Sequence, residues 1–419
     1  MTLLISFIIL LFLFSLISGR LERTAVTAPI IFTVAGVLLS EFITELLHQQ
    51  GEVKEVLRTV FLRAAEVGWV LLLFTDASRT QFQVLKNIRA LPVRLLSAGM
   101  LLTILLGALG ALVVFRELTI WEAGILAAIL APTDAGLGQV IVNSPLVPLK
   151  IRQALNVEAG LNDGLSVPFL LFFFALAAGG AAGESASLMN FIVEQLGYGV
   201  LVGGGIGLTG GWLLGWARRR RWMAESLEKL GVVSLPLLCL LAAEETGASM
   251  FIAAFVAGLA VQAGFKGAGK HSVEFADEWG QLLNLSVFFL FGMVVAQNWG
   301  QFTLEHGIYA VLSLTVVRML PVALSLVGTR LSTATVLFMG WFGPRGLASI
   351  VLGLVYLEQE THLPGESTIR LTVMLTVFVS IFAHGLTALP GIKFYGGKMK
   401  TLPVDAPEHQ VETSSPVKA

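Results

Sequence analysis

The stretch NVEAGLNDGLSVP, Asn156 to Pro168, decides how this chain is read. It lies between a basic turn, PLKIR (148–152), and a run of almost pure hydrocarbon, FLLFFFALAA (169–178). On a helix, Glu158 and Asn162 fall on one face, four residues apart. Asp163 lies about 140° round from Glu158, at about 100° per residue. Both carboxylates escape lipid only if this helix is buried in a bundle. A charge at membrane depth costs several kcal/mol unless paired or hydrated, and by default it marks an ion or proton path. Pro168 cannot donate a backbone hydrogen bond, so it frees a carbonyl near Gly164 and is expected to loosen the helix just beyond Asp163.

The rest of the chain bears out the membrane setting. Of 419 residues, 55% are hydrophobic and 13% charged, against about 25% charged in an ordinary soluble domain. Apolar stretches of about 17–25 residues recur, the length that crosses a bilayer. The formal charge of −1 leaves no basic footprint for nucleic acid. The single cysteine, Cys239, excludes a disulfide framework and a thiol metal site. The first apolar run, LLISFIILLFLFSLIS, lacks a basic n-region and a small-residue cleavage site, so it reads as a first span rather than a signal peptide.

The expectation is an all-α polytopic membrane protein with about 13 spans. They fall near 3–19, 25–43, 59–76, 93–114, 120–143, 151–178, 190–216, 230–246, 249–264, 281–297, 305–327, 335–357 and 369–390. The boundary between the eighth and ninth is the weakest. Alternate loops carry Arg20, Arg23, Arg79, Lys86, Arg89, Arg94, Lys150, Arg152, Arg218–Arg221, Lys266, Lys270, Arg330, Lys393, Lys398 and Lys400. The opposite loops carry Lys54, Arg58, Arg116 and Arg370. By the positive-inside rule the N-terminus is outside and the C-terminus cytoplasmic. Residues 1–392 form the membrane domain, and the polar, Pro-containing 393–419 is expected to be a short disordered cytoplasmic tail.

Asp134, Glu158, Asp163, Arg318 and Arg345 fall within spans. In LAPTDAGLG (130–138), Pro132 and the glycines predict a helix broken near Thr133–Asp134. Broken helices at membrane depth expose carbonyls and dipole ends that transporters use to hold ions. Asp134 either caps the second half-helix or shapes an ion site, and the two roles are compatible. A hard cation wants several oxygens, which Asp163 and the Thr133 hydroxyl or carbonyl could supply. Arg318, in LSLTVVRMLPVAL (312–324), needs a buried counter-charge, and Glu158 is the best candidate. Arg345, in MGWFGPRGLAS (339–349), marks a second Gly/Pro-interrupted helix in the C-terminal half. Paired interrupted segments point to inverted repeats with a midplane site.

Weaker features read more simply. His384 is a packed or capping histidine, with a proton carrier as the alternative. His271 is a solvated loop residue, or a tuner of pH response. Glu244 and Glu245 are solvated, or lie near an outer mouth. GGGIGLTGG (203–211) predicts close helix packing through small residues. It follows no strand, so it is no nucleotide loop.

On Thr133–Asp134, Glu158 with Asn162–Asp163, FIAAFVAGL (251–259), the Arg318 helix, GPRGLAS (343–349) and HGLTALP (384–390), the chain resembles the NhaP-type branch of the monovalent cation:proton antiporter family. That branch includes the eukaryotic sodium/proton exchangers, and the resemblance covers nearly the whole chain. It implies two broken helices that cross, a core domain moving against a dimerisation domain, and a homodimer in the plasma or inner membrane. It makes Asp163 the ion- and proton-binding aspartate, Asn162 the asparagine typical of the branch, and Thr133 a cation-ligating position. Glu158 and Arg318 match the family's buried ion pair. With one acid in the Asn162–Asp163 pair, electroneutral exchange of one cation for one proton is implied. No cofactor is expected beyond the transported Na⁺, Li⁺ or K⁺ and the proton. One departure stands out. Some members carry a serine after the glutamate, and here that position is Ala159, so selectivity among Na⁺, Li⁺ and K⁺ stays open.

Sodium/proton exchange is thus the leading expectation, with potassium/proton exchange its rival. No soluble nucleotide-binding domain is expected after the membrane part, an expectation that leans towards the simpler sodium exchanger. An intramembrane aspartyl protease could use Asp134 and Asp163, but the Tyr-Asp and Gly-x-Gly-Asp motifs are absent. A passive channel would want symmetric pore segments or a filter loop, and neither is seen.

Overall fold

A computed structural model of the protein describes residues 2–21, 24–48, 53–79, 90–179, 193–265, 270–353, 363–403 and 406–408. Every regular element among them is helical. A helix, or a pair of half-helices, stands at each expected span. They are α1 (Thr2–Leu21), α2 (Ala28–His48), α3 (Val53–Arg79), α4 (90–114, with a π turn at Leu95–Gly99), α5 (Ile120–Ile129) and α6 (Ala135–Val142). Then come α7 (Leu149–Gly179), α8 (Gly199–Arg219, after a π turn), α9 (Glu225–Thr246), α10 (Met250–Gly264) and α11 (Lys270–Gln297). The chain closes with α12 (Leu304–Leu314), α13 (Val316–Ser325), α14 (Thr333–Trp341), α15 (Leu347–Val351) and α16 (Glu366–Met399). Among the described residues, seven helices are individually long and apolar enough to cross a membrane. The protein is a multi-pass membrane protein.

Helix starts follow local chemistry. Thr119 opens α5 with a capping box whose partner is Glu122. Asp134, Ser249 and Ser332 cap α6, α10 and α14 with their side chains. The uncertain eighth–ninth boundary is real and tight. Gly247 adopts a left-handed φ of 69°, ending α9 just before Ser249 opens α10.

The bundle is apolar outside, and its largely apolar core encloses a smaller set of buried polar residues. Large apolar side chains such as Leu16, Leu201, Trp212 and Val316 are exposed, as a lipid-facing surface requires. The Gly-rich segment behaves as its composition predicts. Gly199, Gly203, Gly207, Gly211 and Gly215 form a buried face of α8, and side chains at the last four would collide with the α10 backbone.

Three details depart from expectation. First, α7 runs through Pro168 without a break. The Ser166 hydroxyl donates to the Asp163 carbonyl at 2.7 Å, just before the proline. Second, the Arg318 span is kinked at Thr315 (φ −109°, ψ −90°). The Thr315 hydroxyl donates to the Val311 carbonyl at 2.6 Å, a back-bond that bends helices. Third, α16 continues through 393–399 because Tyr395, Gly396 and Met399 are buried against the bundle. Beyond it, Ala406 and Glu408 are buried as well. Residues 404–405 and 409–419, Lys86, Arg89, Lys266 and the His271 side chain lie outside the described residues.

Candidate functional site

Two interrupted helices meet at the centre of the bundle. The extended link 130–134 joins α5 to α6, and 342–346 joins α14 to α15. The links are stitched together by backbone: Asp134 N–H donates to the Pro344 carbonyl at 2.8 Å. Each break leaves orphan N–H groups on one side and orphan carbonyls on the other. Asp134 and Arg345 resolve both. One Asp134 oxygen accepts the Leu137 N–H at 2.9 Å, capping its own half-helix α6. The other accepts the Leu347 N–H at 2.6 Å, capping α15. In return, Arg345 Nη1 donates to the carbonyls of Ala131 and Pro132 at 2.8 and 2.9 Å. Ser349 adds a bond to the Ile129 carbonyl at 2.8 Å. Arg345 is fully buried and Asp134 nearly so. Gly346 is required here, because a Cβ would collide with Asp134 Oδ2.

Beside the crossing, Arg318 Nη1 on α13 lies 2.6 Å from Glu158 Oε1 on α7. The two side chains are 6% and 3% exposed, so the expected pair exists and is dry. The guanidinium lies across Gly343 of the second break, where a Cβ would strike Arg318 Nε. Asn162 Nδ2 donates to the Thr133 hydroxyl at 2.7 Å, tying α7 to the first break. Thr133, Asn162 and Glu158 are all buried.

Asp163 differs from these groups. It is half-buried, and its Oδ1 and Asn162 Oδ1 are buried without a well-formed hydrogen bond, although the Trp69 indole lies within reach of the carboxylate. The charges of Asp134 and Asp76 bear on it, and Trp69 of α3 stands beside it. A cavity opens one turn earlier along α7. Thr133, Asp134, Glu158 and Ala159 line it, with Phe342 and Pro344 from the second break. It extends to Val142 and Leu155, close to the basic turn, where Arg152 reaches the Val142 carbonyl at 3.4 Å. Ala159 presents a methyl to the cavity where an oxygen would otherwise be available. Asp163 follows Ala159 by four residues on the same helical face. Acceptors without well-formed hydrogen bonds, an acid among them, form an oxygen-rich environment suited to a hard cation.

The structure therefore brings together Thr133, Asp134, Glu158, Asn162, Asp163, Arg318 and Arg345. His384 packs behind the second break, on Ser380, whose hydroxyl accepts the Arg345 N–H at 2.7 Å. His384 Nε2 is 2.9 Å from the Trp341 carbonyl, and Nδ1 is 3.1 Å from the Ser380 hydroxyl. Glu244 pairs with Arg63 at 2.6 Å on an exposed surface, away from the crossing.

Sequence reasoning missed Asp76 and Glu122. Asp76 is half-buried on α3 and meets α7 at Gly160, where a Cβ would lie 3.4 Å from Asp76 Cβ. Glu122 is 1% exposed and bonds the Gly365 N–H at 2.7 Å, holding α5 to the start of α16. A stricter search for acids inside spans would have flagged Glu122. Asp76 falls at a span end, where a charge reads as solvated.

The profile of the family described as sodium/hydrogen exchanger, transmembrane, matches residues 6–392. A K(+)/H(+) antiporter NhaP2 from Shewanella sp. (strain ANA-3) is 26% identical over 271 residues, covering 63% of this chain and 46% of that protein. The chain thus spans about half the length of these curated relatives. The K(+)/H(+) antiporter NhaP of Alkalimonas amylolytica is 24% identical over 412 residues, 94% of this chain and 68% of that protein. Among solved structures, the sodium proton antiporter MjNhaP1 from Methanocaldococcus jannaschii superposes with a TM-score of 0.69 at 20% identity, covering 95% of this chain and 100% of that one. That likeness establishes the fold.

Proposed function

The chain belongs to the sodium/hydrogen exchanger family, and from that premise we propose that it exchanges a monovalent cation for a proton across the membrane. The observation that carries this reading is how the buried acids are used. Asp134 gives both oxygens to backbone N–H groups, and Glu158 is held by Arg318. Asp163 keeps a buried oxygen without a well-formed hydrogen bond. It is the acid free to take a proton or a cation in turn. Thr133 lines the adjoining cavity, and Asn162 holds its hydroxyl.

An empty carboxylate is costly to carry through an apolar gate, whereas a neutralised one is not. Coupling follows because only loaded states cross, one cation for one proton, without net charge. Asp134 and Arg345 serve to hold the crossing, and Glu158–Arg318 to hold α7 against α13. We read the cargo as Na⁺ or Li⁺. K⁺ is the second reading, supported by the K(+)/H(+) names of the two relatives above and by the missing oxygen at Ala159. The assembly is read as a homodimer in the inner or plasma membrane, C-terminus in the cytoplasm.

The test is dissipation of a pH gradient in everted vesicles lacking endogenous antiporters. Na⁺, Li⁺ and K⁺ are added separately, beside Asp163→Asn. Collapse by Na⁺ and Li⁺, with a silent but well-folded variant, supports the reading. A response to K⁺ alone keeps the mechanism and changes the cargo. Exchange retained by Asp163→Asn would sink the assignment of that residue.

A further inference from the structure

The two interrupted helices begin alike, with one difference. At the start of α5 the capping box is complete within the helix. The Glu122 carboxylate accepts the Thr119 N–H and hydroxyl, each at 2.8 Å, and Thr119 Oγ1 accepts the Glu122 N–H at 3.3 Å. At the start of α14 the box lacks its acid. Ser332 Oγ accepts the Thr335 N–H at 3.3 Å, but the third helical residue is a threonine. The missing carboxylate comes from Glu408, 76 residues along the chain. It accepts the Ser332 N–H at 2.7 Å and the Thr335 hydroxyl at 2.8 Å. Glu408 is 3% exposed, Ala406 is buried beside it, and Lys150 of α7 donates to the Pro407 carbonyl at 3.3 Å.

From this cap a packed line leads to the cavity. The Thr335 hydroxyl lies 3.0 Å from the Tyr395 hydroxyl on α16. The Tyr395 ring stacks on Phe338, with centroids 4.1 Å apart. Phe338 in turn packs on Phe342 at 4.7 Å. Phe342 is the residue of the second break that forms part of the cavity wall.

We propose that Glu408 is a positioning residue: from a distant point of the same chain it completes the cap of α14 and so fixes Phe342 in the wall of the cation cavity. The role rests on the antiport reading above. It assigns the segment after α16 a part in exchange that a bare tail would not have. Losing the cap frees the first turn of α14, and the aromatic line carries the slack to Phe342. Cation binding suffers before turnover does.

The experiment uses full-length protein in proteoliposomes, comparing wild type, Glu408→Ala and Glu408→Gln. Glutamine serves in capping boxes as glutamate does. Glu408→Ala is expected to raise the apparent KM for the exchanged cation about fivefold, the factor that one lost helix cap is worth. Vmax per folded molecule should hold, and Glu408→Gln should restore the wild-type KM. Hydrogen exchange at the Thr335 and Val336 amides should speed up in Glu408→Ala. An unchanged KM with faster exchange would show a cap with no bearing on the cavity, and would overturn the proposal. Unchanged amide exchange would overturn the cap itself. A fall in folded amount alone would reduce Glu408 to a structural residue. A silent wild type would count against antiport rather than the cap, which the amide exchange would still decide.

Discussion

Leu347 donates its backbone N–H to Asp134 Oδ2 at 2.6 Å, so the acid that starts one half-helix also caps the start of another. The second oxygen is already taken by Leu137. Asp134→Asn keeps one acceptor and turns an amide NH₂ towards a backbone donor. Asparagine is itself a good N-cap, so one end is held and the other left orphaned. A buried donor without a partner costs about 1–3 kcal/mol. The variant should therefore unfold at a lower temperature in detergent, and Gly346→Ala, whose methyl meets the same oxygen, should do so at least as readily. A wild-type melting temperature for both would show that the crossing does not depend on this carboxylate.

The Glu158–Arg318 pair predicts a pattern across variants. Removing one partner strands a buried charge, at about 3–5 kcal/mol. Arg318→Ala and Glu158→Ala should each reduce the amount of monodisperse protein on size exclusion. Arg318→Met combined with Glu158→Gln leaves no charge behind and should recover much of it. Transport by the recovered double variant would mark the pair as structural. An Arg318→Ala protein that is fully folded and active would contradict the pairing.

The fold and most of the site were legible for a physical reason: in hydrocarbon, errors of charge and backbone are expensive. Pro132 and Gly136, then Gly343 and Pro344, announce breaks because glycine and proline inside a span need an explanation. Glu158 and Arg318 lie 160 residues apart, yet opposite charges in oil have few other partners. Where the expense vanishes, so does the signal. Asp76 stands at a span end and reads as solvated. The bend at Thr315 has no proline or glycine at the bend itself. Glu408 lies in a polar, Pro-containing stretch with nothing to tie it to Ser332. The role of Asp134 as a double cap depends on a crossing that periodicity along one helix cannot reveal.

Ala159 offers a gain-of-function test. Its methyl lines the cavity one helical turn before Asp163. Ala159→Ser adds an oxygen without adding charge or much volume. Small hard cations gain most from an extra close oxygen ligand. The apparent KM for Na⁺ and Li⁺ should fall relative to K⁺ in the vesicle assay. A uniform change for all three ions, or none, would place the cation away from this wall.

Glu408 fixes a pH window. Burial works against its ionisation, but the Ser332 N–H and the Thr335 and Ser332 hydroxyls outweigh that and hold its carboxyl below the usual range. The docked value is thus lower than the undocked one, ordinarily about 4.3 for glutamate. A group lowered on docking stabilises the contact fully above its undocked value and loses that contribution as pH falls through the docked one. The cap should therefore be constant through neutral pH and released only in acid, below the ordinary glutamate range. The other titratable groups at the contact are Tyr395, through Thr335, and Lys150, at the Pro407 carbonyl. Amide protection at Thr335, corrected for intrinsic exchange, should be flat from about pH 5 to 8. Glu408→Gln should shift the apparent cation affinity little and leave the shape of the transport profile over that window unchanged. Protection lost near neutral pH would mean that a different group governs docking. The segment would then be a proton-responsive latch instead of a fixed cap.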